Sequence, residues 1–371
     1  MNRLRLVADD LTGALDAAVS FARPEHPVPV YFSDQMPAAL PPACAIDLGT
    51  RDQPSGEAAA AAARSAVWLM PAPGSIAFKK VDSQLRGHTG AELAAILRTV
   101  SVPACVIAPA FPFHGRVTRG GRQFAREGAG WRRVGEDLEA SLTALGWAVH
   151  RARAGEPVPS GVSLWDVETD EDLRRIVAAA RRLPEPVLWC GSGGLAAAVA
   201  GPGAPILTDM ARPILGLFGS DHPTTAAQLL ACGDLGLILD DGADTSARRL
   251  QGHLAERGIA LARFALPAGL TRGAAAESIA REIAALVSRV PPPGTVLVAG
   301  GETLRALARA VGADHVEVQG QAHPGVPVSA FRGGRWSGVR IVSKSGAFGG
   351  GDLLQQILAL DPALVMRNPS P

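Results

Sequence analysis

The stretch LRLVADDLTGALD, residues 4–16, decides the fold. It starts with an apolar run at 4–8, continues with Asp9 and Asp10, and becomes a helical pattern near Thr12. A short apolar run that leads through polar residues directly into a helix is typical of a buried parallel strand with its crossover helix. The segment therefore predicts an α/β fold.

The same alternation of apolar runs and helical patterns continues along the chain, and a Gly- and Pro-rich stretch at 201–205 divides it. We predict two domains, 1–210 and 211–371, each with a mostly parallel sheet flanked by helices. In the first domain, strands are expected at 43–48, 75–80, 104–108 and 187–190, and helices from Ser55, Thr89, Leu138 and Asp170. In the second, strands are expected at 214–218, 236–239, 261–265 and 295–299, helices at 224–231, 246–257, 274–290 and 303–311, and a hairpin from 327–331 and 339–343 around Gly333-Gly334.

Composition excludes several classes of protein. Hydrophobic residues make up 47% and charged residues 19% of the 371 residues, which is a globular composition. The formal net charge of +1 argues against electrostatic binding to nucleic acid or to an anionic membrane. The uncharged stretch 186–208 is interrupted by prolines and cannot be one spanning helix. Four widely spaced cysteines predict reduced thiols in a cytoplasmic protein rather than a disulfide or zinc framework.

Charged side chains cluster after two of the predicted strands in the first half. Two carboxylates, Asp9 and Asp10, follow the first strand; one could cap the next helix, and the other then favours a cation or substrate hydroxyl. The segment KKVDSQLRG, residues 79–87, places three cations and an aspartate after another strand. Such a cluster suits a carboxylate or phosphate ligand, and Arg86 could bind one bidentately. A third loop, 109–116, could present His114 or Arg116.

The segment GSGGLA, residues 191–196, matches a dinucleotide fingerprint, and Asp209 follows at the spacing of a ribose-binding acid. The predicted helix behind it ends after six residues at Gly201, which is short for such a crossover. An NAD-dependent dehydrogenase is therefore the less favoured alternative. A tight turn from strand to helix, lining a substrate cleft, is the simpler interpretation.

Three loops of small residues precede helices in the second half. They are FGSDHPT at 218–224, GGET at 300–303 and SKSGAFGGGD at 343–352. Backbone N–H groups at such positions favour phosphate groups, so the three loops together predict a nucleotide site. The chain has no GxxxxGK[ST] motif, so the P-loop architecture is excluded.

Taken together, ADDLTGA (8–14), KKVDSQLRG (79–87), GGET (300–303) and KSGAFG (344–349) resemble the four-carbon acid sugar kinase family. The resemblance implies an ATP-dependent, two-domain α/β kinase for threonate, erythronate or 3-oxo-tetronate, with its active site in the inter-domain cleft. It implies a substrate domain at 1–210 and a nucleotide domain at 211–371. The residues expected to bind the acid sugar are Asp9, Arg51, Lys79, Lys80, Val81, Asp82, Arg86 and Arg116. Those expected to bind ATP are Ser220, His222, Gly300, Gly301, Glu302, Thr303, Lys344, Gly346, Ala347, Phe348 and Gly349.

Phosphoryl transfer also needs a proton acceptor for the sugar hydroxyl, expected to be the terminal one. Asp82, Asp10 and Asp352 are the candidate bases, with Asp82 slightly favoured, and Mg²⁺ is expected to accompany ATP. The chain departs from the family pattern at His222, at Phe113-His114 and at Ala347. A homologue that binds a small acid and a nucleotide without transfer is therefore the first alternative. We expect no nucleic-acid or membrane partner and allow for a homodimer.

Overall fold

A computed structural model describes residues 3–70, 74–184, 186–201, 203–219, 222–267 and 269–360. The chain divides into two compact units. Unit 1 contains Met1–Phe21 and Val28–Gly203, and unit 2 contains Ala22–Pro27 and Ala204–Pro371. Both are α/β, as predicted. The limits given above for substrate and nucleotide domains concern binding and stay a prediction.

Unit 1 has a parallel main sheet with the strand order β2-β3-β1-β4-β11-β5-β10-β9. A small antiparallel sheet, β6-β7-β8, is inserted after β5. The strands are β1 (Arg3–Ala8), β2 (Val28–Phe32), β3 (Ala43–Asp47), β4 (Ser75–Lys80), β5 (Ala104–Ala108), β6 (Arg116–Arg119), β7 (Arg122–Glu127), β8 (Gly130–Arg133), β9 (Val149–Arg153), β10 (Gly161–Asp166) and β11 (Val187–Gly191). The helices are α1 (Leu11–Phe21), α2 (Ser55–Ser65), α3 (Thr89–Thr99), α4 (Leu138–Ala144), α5 (Asp170–Ala180) and α6 (Gly193–Ala200).

Helices cover both faces of this main sheet, which explains its nearly continuous apolar strands. Helix α3 packs against α2 and α4, whereas α6 packs against α1 and α5. Strand β1 lies between β3 and β4: the chain passes from β1 to β2 and β3 on one side of it and then crosses to β4 on the other side. Ligands bind in open α/β sheets at such a point, outside the carboxyl ends of the strands. The loops after β1, β3 and β4 therefore define where a site in unit 1 is expected.

Unit 2 has the strand order β13-β14-β12-β15-β18-β17-β16. The strands from β13 to β18 in this order are parallel, and β17 is antiparallel to both of its neighbours. The strands are β12 (Ile214–Phe218), β13 (Gly236–Leu239), β14 (Ile259–Phe264), β15 (Thr295–Ala299), β16 (His315–His323), β17 (Val326–Arg332) and β18 (Arg340–Lys344). The helices are α7 (Pro223–Ala231), α8 (Asp244–Arg257), α9 (Arg272–Val287), α10 (Gly301–Val311) and α11 (Leu353–Leu358).

The predicted strands and helices are present, with ends shifted by a few residues, and the hairpin around Gly333-Gly334 is formed by β17 and β18. The prediction omitted β2, β6 to β10, and β16. All four cysteines are buried and unpaired. In the described part of the chain, every helix is too short or too polar to cross a lipid bilayer.

Candidate active site

Asp9 and Arg51 form a bidentate ion pair at the carboxyl end of β1. The Arg51 Nε and Nη2 atoms lie 2.7 and 2.9 Å from the two carboxylate oxygens of Asp9. The N–H groups of Thr50 and Arg51 also donate to the Asp9 carbonyl, at 2.8 and 3.2 Å, which fixes the turn after β3 against β1. Burial alone would raise the pKa of Asp9, but the guanidinium outweighs burial and holds this pKa below its usual value.

Asp10 combines helix capping with a second contact to Arg51. Its Oδ1 accepts the N–H of Gly13 at 2.8 Å in the first turn of α1, and its Oδ2 lies 2.6 Å from Arg51 Nη1. Burial raises the pKa of Asp10, and the nearby Arg51 charge offsets this only in part. A glycine is needed at position 13 because the Asp10 carboxylate packs directly against it; a Cβ there would lie 2.6 Å from Asp10 Oδ1. Capping and ligand binding were alternatives for these aspartates in the sequence, yet Asp10 caps α1 and also faces the cation.

Asp82 accepts hydrogen bonds from the Arg86 side chain and from the backbone of its own loop. Arg86 binds it bidentately, with Nε at 2.9 Å and Nη2 at 2.6 Å. The N–H groups of Gln84 and Arg86 donate to Asp82 Oδ2 at 3.0 and 3.2 Å. Burial alone would raise the pKa of Asp82, but these donors and Arg51, 3.9 Å away, hold it well below its usual value. The Arg86 side chain is 55% exposed, so this cation can also reach a ligand.

Lys79 lies beneath this cluster and not on its surface. Its side chain is 0% exposed and its Nζ lies 2.5 Å from Glu92 Oε2 on α3, which is 1% exposed. Thr50 Oγ1 donates to the other carboxylate oxygen of Glu92 at 2.6 Å. Glu92 therefore joins β4 to the turn that carries Arg51. Direct contact between Lys79 and the acid sugar, as predicted, would require this buried pair to open.

Lys80 faces the opposite side of the sheet from Lys79, as the alternation of side chains along a strand requires. Its Nζ donates to the Val81 carbonyl at 3.0 Å and lies 4.0 Å from Asp16 on α1. Burial raises the pKa of Asp16, and the nearby Asp10 and Asp82 charges act in the same direction. Asp16, Thr50 and Glu92 were missed by the sequence analysis. For Asp16 a signal existed, because it ends the same ADDLTGALD stretch.

Arg116 follows a 3₁₀ turn, Pro112–His114, and begins β6. Its Nη1 donates to the His114 carbonyl, and its Nε is buried and makes no hydrogen bond within the described residues. Burial lowers the pKa of Arg116, and its charge acts on the same electrostatic cluster as Asp82 and Arg86. Val81 is buried, and its N–H donates to the Gly191 carbonyl at 2.9 Å. Val81 therefore contributes its backbone to the sheet.

The GSGGLA segment is a packing turn. A Cβ at Gly193 would lie 2.4 Å from Asp16 Oδ2, and one at Gly194 would lie 2.9 Å from the Ala110 carbonyl. Close packing of α6 therefore explains these glycines without a dinucleotide. Asp209, the expected ribose-binding acid, lies in unit 2 and pairs with Arg340 at 3.5 Å. The structure gives the dehydrogenase alternative no support.

In unit 2, the ends of β12, β15 and β18 lie together. The Gly300 N–H donates to the Lys344 carbonyl at 2.9 Å, and a Cβ at Gly219 would lie 2.5 Å from Thr303 Oγ1. These loops are thus neighbours on one sheet edge, although Ser220 lies outside the described residues. His222 is the N-cap of α7, and its Nδ1 accepts the Thr224 N–H at 3.2 Å.

The remaining residues that were predicted to bind the nucleotide lie on the loops after β15 and β18. Gly301 and Glu302 begin α10, with the Glu302 side chain exposed. The residues Gly346, Ala347, Phe348 and Gly349 belong to the loop between β18 and α11, and Lys344 is buried at its base. Asp352 accepts the Gln356 side-chain amide at 2.7 Å and makes no capping hydrogen bond to α11.

The fold and these residues define a protein with two α/β units, one with a carboxylate–guanidinium cluster and one in which the ends of β12, β15 and β18 lie together. Residues 4–141 match the family described as Sugar-binding N-terminal domain, and residues 215–354 match the Nucleotide-binding C-terminal domain. D-threonate kinase of Bordetella bronchiseptica is 31% identical, over 94% of this chain and 95% of the relative. D-threonate kinase of Cupriavidus necator is 30% identical, over 93% and 94%. The chain belongs to the four-carbon acid sugar kinase family, whose members are phosphotransferases.

Solved structures agree with the fold. A Salmonella typhimurium LT2 structure, described as a candidate tRNA synthase, has a TM-score of 0.71 at 20% identity and covers 96% of this chain and 98% of its own. A Haemophilus influenzae protein has a TM-score of 0.67 at 19% identity and covers 95% and 99%. At this level of identity, the likeness concerns the fold alone.

Proposed function

We propose that this protein transfers the γ-phosphoryl group of ATP to a hydroxyl of a four-carbon sugar acid of the threonate type. The observation that carries this proposal is the similarity to D-threonate kinases, which extends over 93–94% of this chain. The terminal hydroxyl is the proposed acceptor, because it lies farthest from the carboxylate by which the substrate is held.

The cluster of unit 1 has the groups that such an acceptor needs. Arg86 uses Nε and Nη2 for Asp82, and within the described residues its Nη1 makes no hydrogen bond. This nitrogen, together with Arg116, can bind the substrate carboxylate. The carboxylates Asp9, Asp10 and Asp16 are hydrogen-bond acceptors suited to the hydroxyls of the substrate.

Among the three candidate bases, the electrostatics favour Asp10. A general base works best when its pKa lies near the operating pH. The pKa of Asp10 is raised by burial, whereas the donors around Asp82 hold the pKa of that carboxylate well below its usual value. Asp352 is bound to Gln356 and lies in unit 2. We therefore propose that Asp10 accepts the hydroxyl proton and that Asp82 orients Arg86.

The loops of unit 2 are the proposed site for the phosphates of ATP. Backbone N–H groups in the loops after β15 and β18 would supply donors. His222, one of the departures from the family pattern, accepts the Thr224 N–H and so caps α7. Among the described residues, no group of three metal-ligating side chains is preassembled. Mg²⁺ usually binds phosphate oxygens, water and only one or two carboxylates. Glu302 and Asp352 would be those carboxylates, and the ion would neutralise phosphate charge.

The test is ADP release from ATP and Mg²⁺ with a panel of four-carbon acids, followed by ³¹P NMR of the product. Turnover with a threonate-type acid, and phosphorus on the terminal oxygen, are expected. Turnover with only a different hydroxy acid would refute the proposed substrate but not the proposed kinase activity. ATP binding without turnover of any acid would refute the kinase proposal and favour the alternative of a binding protein without transfer.

A further inference from the structure

Lys344 has an unusual environment for a lysine at the end of a strand. It is 3% exposed, and its ammonium is surrounded by oxygen atoms that carry no formal charge. These are Thr225 Oγ1 at 3.2 Å and the carbonyls of Ser345, Gly346 and Phe348 at 3.0, 3.4 and 3.4 Å. Within the described residues, no carboxylate pairs with this ammonium. Burial accordingly lowers its pKa to about 8.

Two buried side chains of α7 bind the same loop. Thr225 Oγ1 donates to the Gly346 carbonyl at 2.7 Å. Gln228 Nε2 donates to the carbonyls of Phe348 and Gly350, at 3.0 and 2.7 Å. Both side chains are 0% exposed. Lys344, Thr225 and Gln228 therefore draw three alternate carbonyls, those of residues 346, 348 and 350, towards the interior of unit 2.

The direction of these carbonyls determines the direction of the next amides. In a planar trans peptide, the C=O of one residue and the N–H of the following residue point in opposite directions. The N–H groups of Ala347, Gly349 and Gly351 must therefore point away from Lys344. None of them donates a hydrogen bond within the part of the chain that the structure describes. Three alternate N–H groups on the outward side of one short loop are donors of the kind that binds anions.

We propose that Lys344 is a positioning residue: its ammonium gathers the carbonyls of the 345–351 loop so that the opposite amides face the phosphates of the nucleotide. Lys344 itself does not bind phosphate. Thr225 and Gln228 have the same positioning role, because they bind carbonyls of the same loop. This inference rests on the proposed function, because it assumes that a nucleotide binds to this loop.

The experiment measures the affinities of ADP, ATP and adenosine by calorimetry, and KM and kcat for ATP, in three variants. Lys344→Met removes the charge and keeps an apolar stem, Thr225→Val removes one hydroxyl, and Gln228→Met removes both amide donors. The matched control is Gln355→Met, since the Gln355 side-chain amide donates to the Ala231 carbonyl on α7, at 2.7 Å, and not to a carbonyl of the 345–351 loop. Thermal melting identifies any variant that fails to fold.

We expect Thr225→Val and Gln228→Met to lower the affinity for ADP and ATP about fivefold to tenfold, and Lys344→Met to lower it about 10- to 100-fold. Adenosine affinity should stay near the wild type, Lys344→Arg should restore part of the loss, and the losses of Lys344→Met and Thr225→Val should not add. Unchanged nucleotide affinity in Thr225→Val and Gln228→Met, with a large loss in Lys344→Met, would overturn the inference and indicate direct phosphate binding. If the wild type binds no nucleotide at all, the proposed function itself fails.

Discussion

The buried pair between Lys79 and Glu92 offers a sharp test of how the cluster in unit 1 is supported. Glu92→Gln keeps the shape of the side chain and removes its charge, which leaves the Lys79 ammonium buried beside a neutral amide. Both side chains are essentially inaccessible, at 0% and 1% exposed, so water cannot replace the lost charge. Breaking a buried pair from one side costs about 3–5 kcal/mol.

For a unit of this size, each kcal/mol lowers the melting temperature by about 2–4 °C, so we expect a fall of roughly 10 °C in Glu92→Gln. Because Glu92 also accepts the Thr50 hydroxyl, the turn carrying Arg51 should shift, and kcat/KM should fall up to about a hundredfold. Differential scanning calorimetry and the ADP-release assay measure the two effects.

The control is Glu171→Gln on α5, which breaks ion pairs to Arg174 and Arg175 on an exposed helix face. Exposed pairs contribute little, so this variant should melt near the wild type. The double variant Lys79→Met/Glu92→Leu should recover much of the lost stability, because an apolar pair leaves no buried charge. If Glu92→Gln has the same melting temperature as Glu171→Gln, the argument that the Lys79–Glu92 pair supports the site is refuted.

Three further predictions concern the two proposed sites. Asp10→Asn should lower kcat at least about a hundredfold with substrate binding retained, whereas near-normal kcat would return the base to Asp82. Gly13→Ala would normally stabilise a helix, but here the added Cβ would lie 2.6 Å from Asp10 Oδ1 and displace that carboxylate. Activity should therefore fall with little change in melting temperature. A fully active Gly13→Ala variant would contradict the packing argument. Because Lys344 has a pKa of about 8, KM for ATP should rise between about pH 7 and pH 9 in the wild type and stay flat in Lys344→Arg. The free energy of unfolding measured without nucleotide should instead increase as pH rises above 8, because the unfolded chain then binds more protons than the folded chain at Lys344. If KM for ATP depends on pH equally in the wild type and in Lys344→Arg, Lys344 is excluded as the titrating group.

The sequence predicted the strands that end in the candidate site loops because each one is an apolar run followed by charged or small residues. The alternation of side chains along a strand also places Lys79 and Lys80 on opposite sides of the sheet. The sequence did not predict that Lys79 is covered, because its partner Glu92 lies thirteen residues away on α3 and resembles an ordinary first-turn glutamate. Burial of a charge depends on tertiary packing, which a local pattern does not contain.

Two of the missed strands, β8 and β9, have a different cause. Strand β8 is exposed along its whole length, and β9 has one buried residue, so neither has an apolar run. The glycines at 193 and 194 show the converse problem, since a packing turn and a dinucleotide turn have the same letters. Only the neighbouring atoms, Asp16 Oδ2 and the Ala110 carbonyl, distinguish the two.

The antiparallel strand β17 has a consequence for how this chain can change in length. It reverses the chain without a crossover helix, so β18 returns parallel to β15 with Lys344 opposite Ala299. Side chains alternate along a strand, so a slip of one residue would put Ser343 in the inward position and turn the lysine to the other face. Insertions and deletions between β17 and β18 are therefore tolerable only when the turn absorbs them completely and the frame of β18 against β15 is kept.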